Sequence, residues 1–215
     1  TGLVTAKSVG TAIVTATAND GSGVKGTCSI TIVEEHVTED DEWTILIYMC
    51  GADLESGWDD ETNSYADDTY YASVDLDEIK SVTGQPDDVN IVIEAGGSKR
   101  WSPTYSSLIN TKNLNRFHLE NNNYVLDERV SKASMGKSST LSSFVSWGMQ
   151  KYPAEKTALI FWNHGGAMGG VCSDENYDSD SLLNSEVSSA LSTALGSKKL
   201  EWIGYDACLM AVQDV

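Results

Sequence analysis

A chain of 215 residues with 40 % hydrophobic residues, six Trp and only three Pro is globular in composition and long enough to bury a core. Its formal charge of −18 argues against a nucleic-acid binder, because gripping phosphates takes clustered Lys and Arg; it suits basic ligands and cations, though keeping a secreted protein soluble is the default explanation. No apolar run approaches the roughly 18 residues needed to span a bilayer, and four cysteines without CxxC spacing exclude a disulfide scaffold and a structural zinc site.

Residues 1–33 read as all-β. Ala12–Ala18 is rich in β-branched residues, Asn19–Gly23 (Asn-Asp-Gly-Ser-Gly) is a turn cluster, and Cys28–Val33 alternates as a strand does. With Gly10-Thr-Ala-Ile-Val-Thr-Ala-Thr-Ala18 ahead of that turn, this stretch resembles the closing strands of a bacterial Ig-like domain of group 2. The resemblance implies a partial β-sandwich and a modular protein that is extracellular, secreted or on a bacterial cell surface. The chain opens at Thr1 without a basic n-region or an apolar h-region, and is read as a segment of a longer polypeptide. Residues 34–42 form an acidic polar run, hence a linker; His36 within it is given no function.

From Trp43 the pattern alternates between strand and helix. Trp43–Cys50 is almost continuously apolar, as a strand buried on both faces should be, and Gly51–Gly57 follows as a loop. A helix is expected over Tyr65–Ser81 and a second buried strand over Val89–Glu94. Short strands at Tyr105–Asn110, Leu114–Leu119 and Tyr124–Val130 suggest a meander with Asn-rich turns. Ser139–Tyr152 has helical spacing, with Leu141, Phe144, Val145 and Gly148 on one side and Pro153 as its stop. A strand over Thr157–Asn163, a loop over Gly165–Asp180, a helix over Asn184–Leu195 and a strand over Leu200–Tyr205 complete the order. Such a succession predicts an α/β fold with a parallel, right-handed crossover sheet and helices on both faces.

Two of these strands end on reactive side chains. The first runs into His164-Gly165-Gly166, the second into Asp206-Ala207-Cys208. Parallel strands open their C-terminal ends onto a common crevice, so the two ends can meet although distant in sequence. A thiol nucleophile needs a thiolate, a proton carrier and oxyanion donors. Cys208 and His164 supply the first two, and the backbone N–H groups of Gly165 and Cys208 the third. Each residue has a plainer explanation, since a strand-end Cys usually packs and a His before Gly-Gly often opens a turn. It is the paired placement that argues for chemistry. No third residue to orient the imidazole is evident.

Trp43–Glu55, Tyr152–Ala154, Ala158-Leu-Ile-Phe-Trp-Asn-His-Gly-Gly166 and Ile203-Gly-Tyr-Asp-Ala-Cys-Leu-Met-Ala211 occur in an order similar to that of clostripain and its relatives. These are cysteine endopeptidases of caspase-like fold. The resemblance covers 43–215 and implies that this is the N-terminal part of such a domain, stopping soon after the nucleophile. It implies a His164–Cys208 dyad and cleavage of proteins or peptides after Arg, or Lys, with Asp206 at the base of the specificity pocket. A carboxylate there answers a cation with charge-assisted hydrogen bonds. One departure is plain: 157–197 contains neither Lys nor Arg, so the self-cleavage after a basic residue that the resemblance implies between the His and the Cys is left only Lys198 and Lys199, just before the last strand.

Asp174, Asn176, Asp178 and Asp180 place oxygens at alternate positions, as the first half of a Ca²⁺ loop does. Ser179 and Ser185 stand where an EF-hand requires Gly and Glu, so that motif is excluded; the family resemblance still implies calcium. The chemistry itself requires no cofactor. A non-catalytic surface-binding module on a degenerate peptidase fold is the competing class, against which the intact His164 and Cys208 argue. Nucleotide binding at 165–170 fails because the glycines miss the GxGxxG spacing and no Walker lysine follows.

Overall fold

The computed structural model describes residues 10–32, 41–59, 61–66, 70–82 and 84–211. The chain divides into two units, 1–38 and 39–215. In the first, β1 (Gly10–Thr17) and β2 (Lys25–Ile32) pair antiparallel from Gly10↔Ile32 to Thr17↔Lys25. The turn between them is held by Asp20, which accepts from the Ser22 N–H at 2.9 Å. The β1 side chains are exposed on both faces, so this hairpin has no buried side of its own. Most of the expected 34–42 linker, His36 included, lies outside the described residues.

The second unit is built on β3 (Trp43–Cys50), β6 (Val89–Gly96), β7 (Asn113–Glu120), β8 (Asn123–Ser131), β9 (Lys156–Trp162) and β12 (Trp202–Asp206). They form one sheet in the order β12-β9-β3-β6-β7-β8. The first four are mutually parallel, β7 pairs antiparallel with both β6 and β8, and the sheet is mostly rather than wholly parallel. The hairpin is local: Asn121 and Asn122 adopt φ of 50° and 59°, a region Asn tolerates, and turn β7 back into β8.

Alternate residues of β3 feed two cores. Leu46 and Tyr48 face α3 (Ser138–Lys151) and α4 (Asn184–Leu195), where Leu141, Phe144, Val145, Val187 and Ala190 are buried. Ile47 and Met49 face α2 (Tyr71–Ser81), which contributes Ala72 and Leu76. Each fully buried Leu or Phe stabilises by about 1.5–3 kcal/mol, so sheet and helices are held chiefly by these two faces. Helices on both faces match the expectation for the sheet.

Several boundaries differ from those expected. The helix expected from Tyr65 begins at Tyr71, because Tyr65 instead ends a hairpin of β4 (Trp58–Asp59) and β5 (Ser64–Tyr65), its ring 4.9 Å from that of Trp58. Tyr105–Asn110 is not a strand. Ser102 and Pro103 start a 3₁₀ turn over Pro103–Tyr105, and the Tyr105 carbonyl then accepts from Leu108 and Ile109 N–H at 2.9 and 2.7 Å. The 165–180 loop carries a 3₁₀ turn at Ala167–Gly169 and the pair β10 (Val171–Asp174) and β11 (Asp180–Leu182). The short helix α1 (Ala52–Ser56) occupies what reads as loop after β3.

Candidate active site

β12, β9 and β3 lie side by side and parallel, so their C-terminal ends share one rim. The pairing Asp206↔Trp162 runs to the last residue of each strand, and Cys208 and His164 each follow two residues later. The loops keep that neighbourhood. A Cβ at position 165 would stand 2.2 Å from the Cys208 carbonyl oxygen and 2.7 Å from Met210 Cγ, so only glycine admits so close an approach. Cys208 is exposed, unlike Cys50 and Cys172, which are buried; all four cysteines are free thiols. Leu209, directly after Cys208, is held at φ 60°, a left-handed conformation costly for a leucine and of the kind found where a site constrains the backbone.

The segment before His164 is pinned by a buried amide. Asn163 donates from Nδ2 to the Cys50 carbonyl at 2.6 Å and accepts at Oδ1 from the Ser173 N–H at 2.8 Å, while its own N–H donates to the Asp206 carbonyl at 3.3 Å. The side chain thus ties the ends of β3 and β9 to β10, and the backbone N–H adds the end of β12. Gly165 faces Val171 as an isolated antiparallel bridge, flanked by Gly166 N–H to Gly170 O (2.8 Å) and Cys172 N–H to His164 O (3.3 Å). In such a non-hydrogen-bonded pair the Gly165 N–H points away from β10.

His164 Nε2 lies 3.0 and 3.2 Å from the two Asp53 carboxylate oxygens. An ionised carboxylate only accepts, so Nε2 carries the proton. The hydrogen bond and charge of Asp53 hold the imidazole above its ordinary pKa, and the His164 contact holds the Asp53 carboxyl below its own. A cavity of about 680 Å³ opens beside this pair, lined also by Asp59, Glu175, Asp178 and one cation, Lys99. Asp53 and Asn163 are the two residues whose roles the sequence reading did not assign. Extending the strand-end rule to β3, next to the His-bearing β9, points to the segment holding Asp53.

Asp206 ends β12 but lines a separate cavity of about 400 Å³ on the α2 face, with Asp75, Glu78 and Trp162. Trp162 Nε1 donates to Asp75, and burial, then the Asp75 charge, raise the Asp206 carboxyl above its ordinary value. The four alternate oxygens are dispersed. Asp174 is buried and accepts from Met135 and Asn176 N–H, both at 2.9 Å. Asn176 Oδ1 accepts from Lys132 Nζ at 2.9 Å, Asp180 accepts from Ser134 Oγ at 2.7 Å and pairs with Lys137 at 3.0 Å, and Asp178 lines the His164 cavity. Among the described residues no group of three or more His, Cys, Asp and Glu side chains is placed to hold a metal ion. None of the described helices is long and apolar enough to cross a membrane.

In this α/β sheet a histidine and an exposed cysteine follow the ends of two adjacent parallel strands. The chain itself belongs to the clostripain family, peptidase C11, whose model matches residues 58–215. Two solved structures share the fold. One is a secreted C11 cysteine protease from Bacteroides thetaiotaomicron in complex with an irreversible peptide inhibitor, at 18 % identity over 79 % of this chain and 43 % of that one, with a TM-score of 0.55. The other is a secreted C11 cysteine protease of the same organism called iotapain, at 15 % identity over 79 % and 47 %, with a TM-score of 0.53. The chain therefore spans less than half the length of either. No curated protein matches it.

Proposed function

We propose that this chain carries the nucleophile and proton carrier of a secreted or surface cysteine endopeptidase that cleaves after arginine, or lysine. The observation supporting this most directly is the approach of Gly165 to the Cys208 backbone at the ends of adjacent parallel strands. In this reading the Cys208 thiolate adds to the scissile carbonyl, forming a C–S bond while the carbonyl π pair moves onto oxygen. The N–H groups of Gly165 and Cys208 stabilise that oxyanion. Collapse expels the amine, which takes its proton from His164; a water that returns a proton to His164 then hydrolyses the thioester. Asp206 answers the basic side chain, and the acidic surroundings of His164 suit a cationic peptide. Residues 1–33 fit the closing strands of an Ig-like module, in keeping with an extracellular setting.

The test is covalent labelling of the complete protein with an arginine-directed, thiol-reactive inhibitor, followed by mapping of the adduct. Label on Cys208 that disappears in His164→Ala supports the dyad. Label confined to Cys50 or Cys172 overturns it.

A further inference from the structure

Three parallel strands lie in the order β12-β9-β3, and each ends on a side chain of this rim: Cys208 two residues beyond β12, His164 two beyond β9, and Asp53 three beyond β3. The histidine strand is the middle one, so the segment carrying His164 lies between the one carrying Cys208 and the one carrying Asp53. The His164 Nε2 is taken by Asp53 at 3.0 Å, which leaves Nδ1 as the nitrogen for proton exchange. We infer that Asp53 is the positioning residue of this site, fixing the ring and its tautomer so that Nδ1 serves Cys208. The inference rests on the peptidase reading and adds a third member to the pair.

What distinguishes Asp53 from a chance surface partner is how firmly its helix is held. α1 has five residues and little stability of its own. Its Glu55 is fully buried and accepts from Ser73 N–H (2.9 Å), Ser73 Oγ (2.6 Å) and Ser102 N–H (2.9 Å), anchoring α1 to α2 and to the 3₁₀ turn. Ser98 Oγ donates to the Ala52 carbonyl at 2.9 Å, and the Gly57 N–H closes the helix on the Asp53 carbonyl at 2.7 Å. A side chain mounted on so fixed a turn presents its carboxylate at a set place. That is the requirement for orienting an imidazole, whose useful nitrogen must be aimed to within a few tenths of an ångström. Asp59, Glu61, Glu175 and Asp178 also border the cavity, and Lys99 opposes them. None of these side chains hydrogen-bonds the His164 ring, whereas both Asp53 oxygens meet its Nε2.

The test compares Asp53→Asn and Asp53→Glu with wild type in the complete protein, using a peptide with arginine at the cleaved bond. Asp53→Asn is expected to lower kcat by about 10- to 100-fold, part of the roughly 10²–10⁴ that positioned acid–base groups contribute, with KM within about twofold. Because Asp53 raises the His164 pKa, its removal moves the alkaline limb of the kcat profile to lower pH, and Asp53→Glu restores part of both. A purely structural Asp53 would lower the melting temperature and leave the alkaline limb in place; that result overturns the inference. NMR titration of the His164 ring, which needs no turnover, is the second readout. An unchanged His164 pKa in Asp53→Asn also overturns it. A wild-type protein without Cys208-dependent cleavage defeats the peptidase reading separately, while the NMR result still decides whether Asp53 governs His164.

Discussion

Two carboxylate–cation contacts in this molecule have similar distances and opposite surroundings. Glu94 meets Arg116 Nε at 2.6 Å between β6 and β7, with side chains 0 % and 4 % exposed. Asp53 meets His164 at 3.0 Å at the rim, with side chains 47 % and 45 % exposed. The buried contact is cross-linked further, as Arg116 also binds Glu128 (2.8 Å) and Ser143 Oγ on α3 (2.9 Å) and lies over the Trp147 ring. It joins sheet to helix. The rim contact is wetter and borders an open cavity. Perturbed titration alone does not separate a structural pair from a functional one; access and neighbours do.

The largest effect separating the two belongs to the buried pair. Arg116→Met should cost about 3–5 kcal/mol of folding stability, because it strands Glu94 as a buried carboxylate without its cation. Glu94 Oε1 already lacks a partner, so nothing else compensates it. Urea unfolding reads this as a lower midpoint, and adding Glu94→Gln to Arg116→Met should recover part of the loss. A stability within about 0.5 kcal/mol of wild type would show that the pair is not an anchor. Next in size is Gly165→Ala, which forces a Cβ against the Cys208 carbonyl. Either loop must retreat, and a misplacement near 1 Å can cost about 10²-fold in kcat. Unfolding should change far less, since both loops are exposed; equal activity would mean that the contact does not set the geometry.

Much of this contrast is readable in the sequence, though unevenly. The strands that deliver His164 and Cys208 announce themselves as apolar runs ended by polar residues, and the parallel-sheet rule brings their ends together. Helix α4 is bounded as expected because its apolar period and Gly196 agree. Tyr65 misleads, since a tyrosine suits a helix face and a hairpin equally and only its packing on Trp58 decides. Asp53 was hidden for another reason. It sits in Gly51–Gly57, whose small and acidic residues read as loop, and the helix there exists because buried Glu55 binds Ser73 and Ser102, partners far along the chain. Sequence spacing is also silent on partners: of the alternate oxygens at 174–180, Asn176 meets Lys132 and Asp180 meets Lys137, both from a distant segment.

The smallest effect sharpens the comparison most, because the two pairs lose stability over different pH windows. His164 has its pKa raised above 6.5 in the folded state, so its share of stability is full below 6.5 and is lost as pH rises through the folded value. Asp53 has its pKa lowered below 3.8, so its share is present above 3.8 and is lost as pH falls through the folded value. The rim pair therefore stabilises in the window between those two titrations. Exposure and screening limit it to under about 1 kcal/mol, weakening with salt. Glu94 is pushed from 4.5 up to about 7 by burial, outweighing the pull of Arg116. A folded state that holds its proton more tightly than the unfolded chain loses stability as pH rises from 4.5 through about 7. Urea midpoints measured from pH 4 to 8 should thus behave differently in two single variants. Glu94→Gln removes the downward slope between about 4.5 and 7, whereas Asp53→Asn leaves that slope and lowers the midpoint only within the rim pair's window. Identical pH profiles for the two variants would erase the distinction between an anchoring contact and a working one.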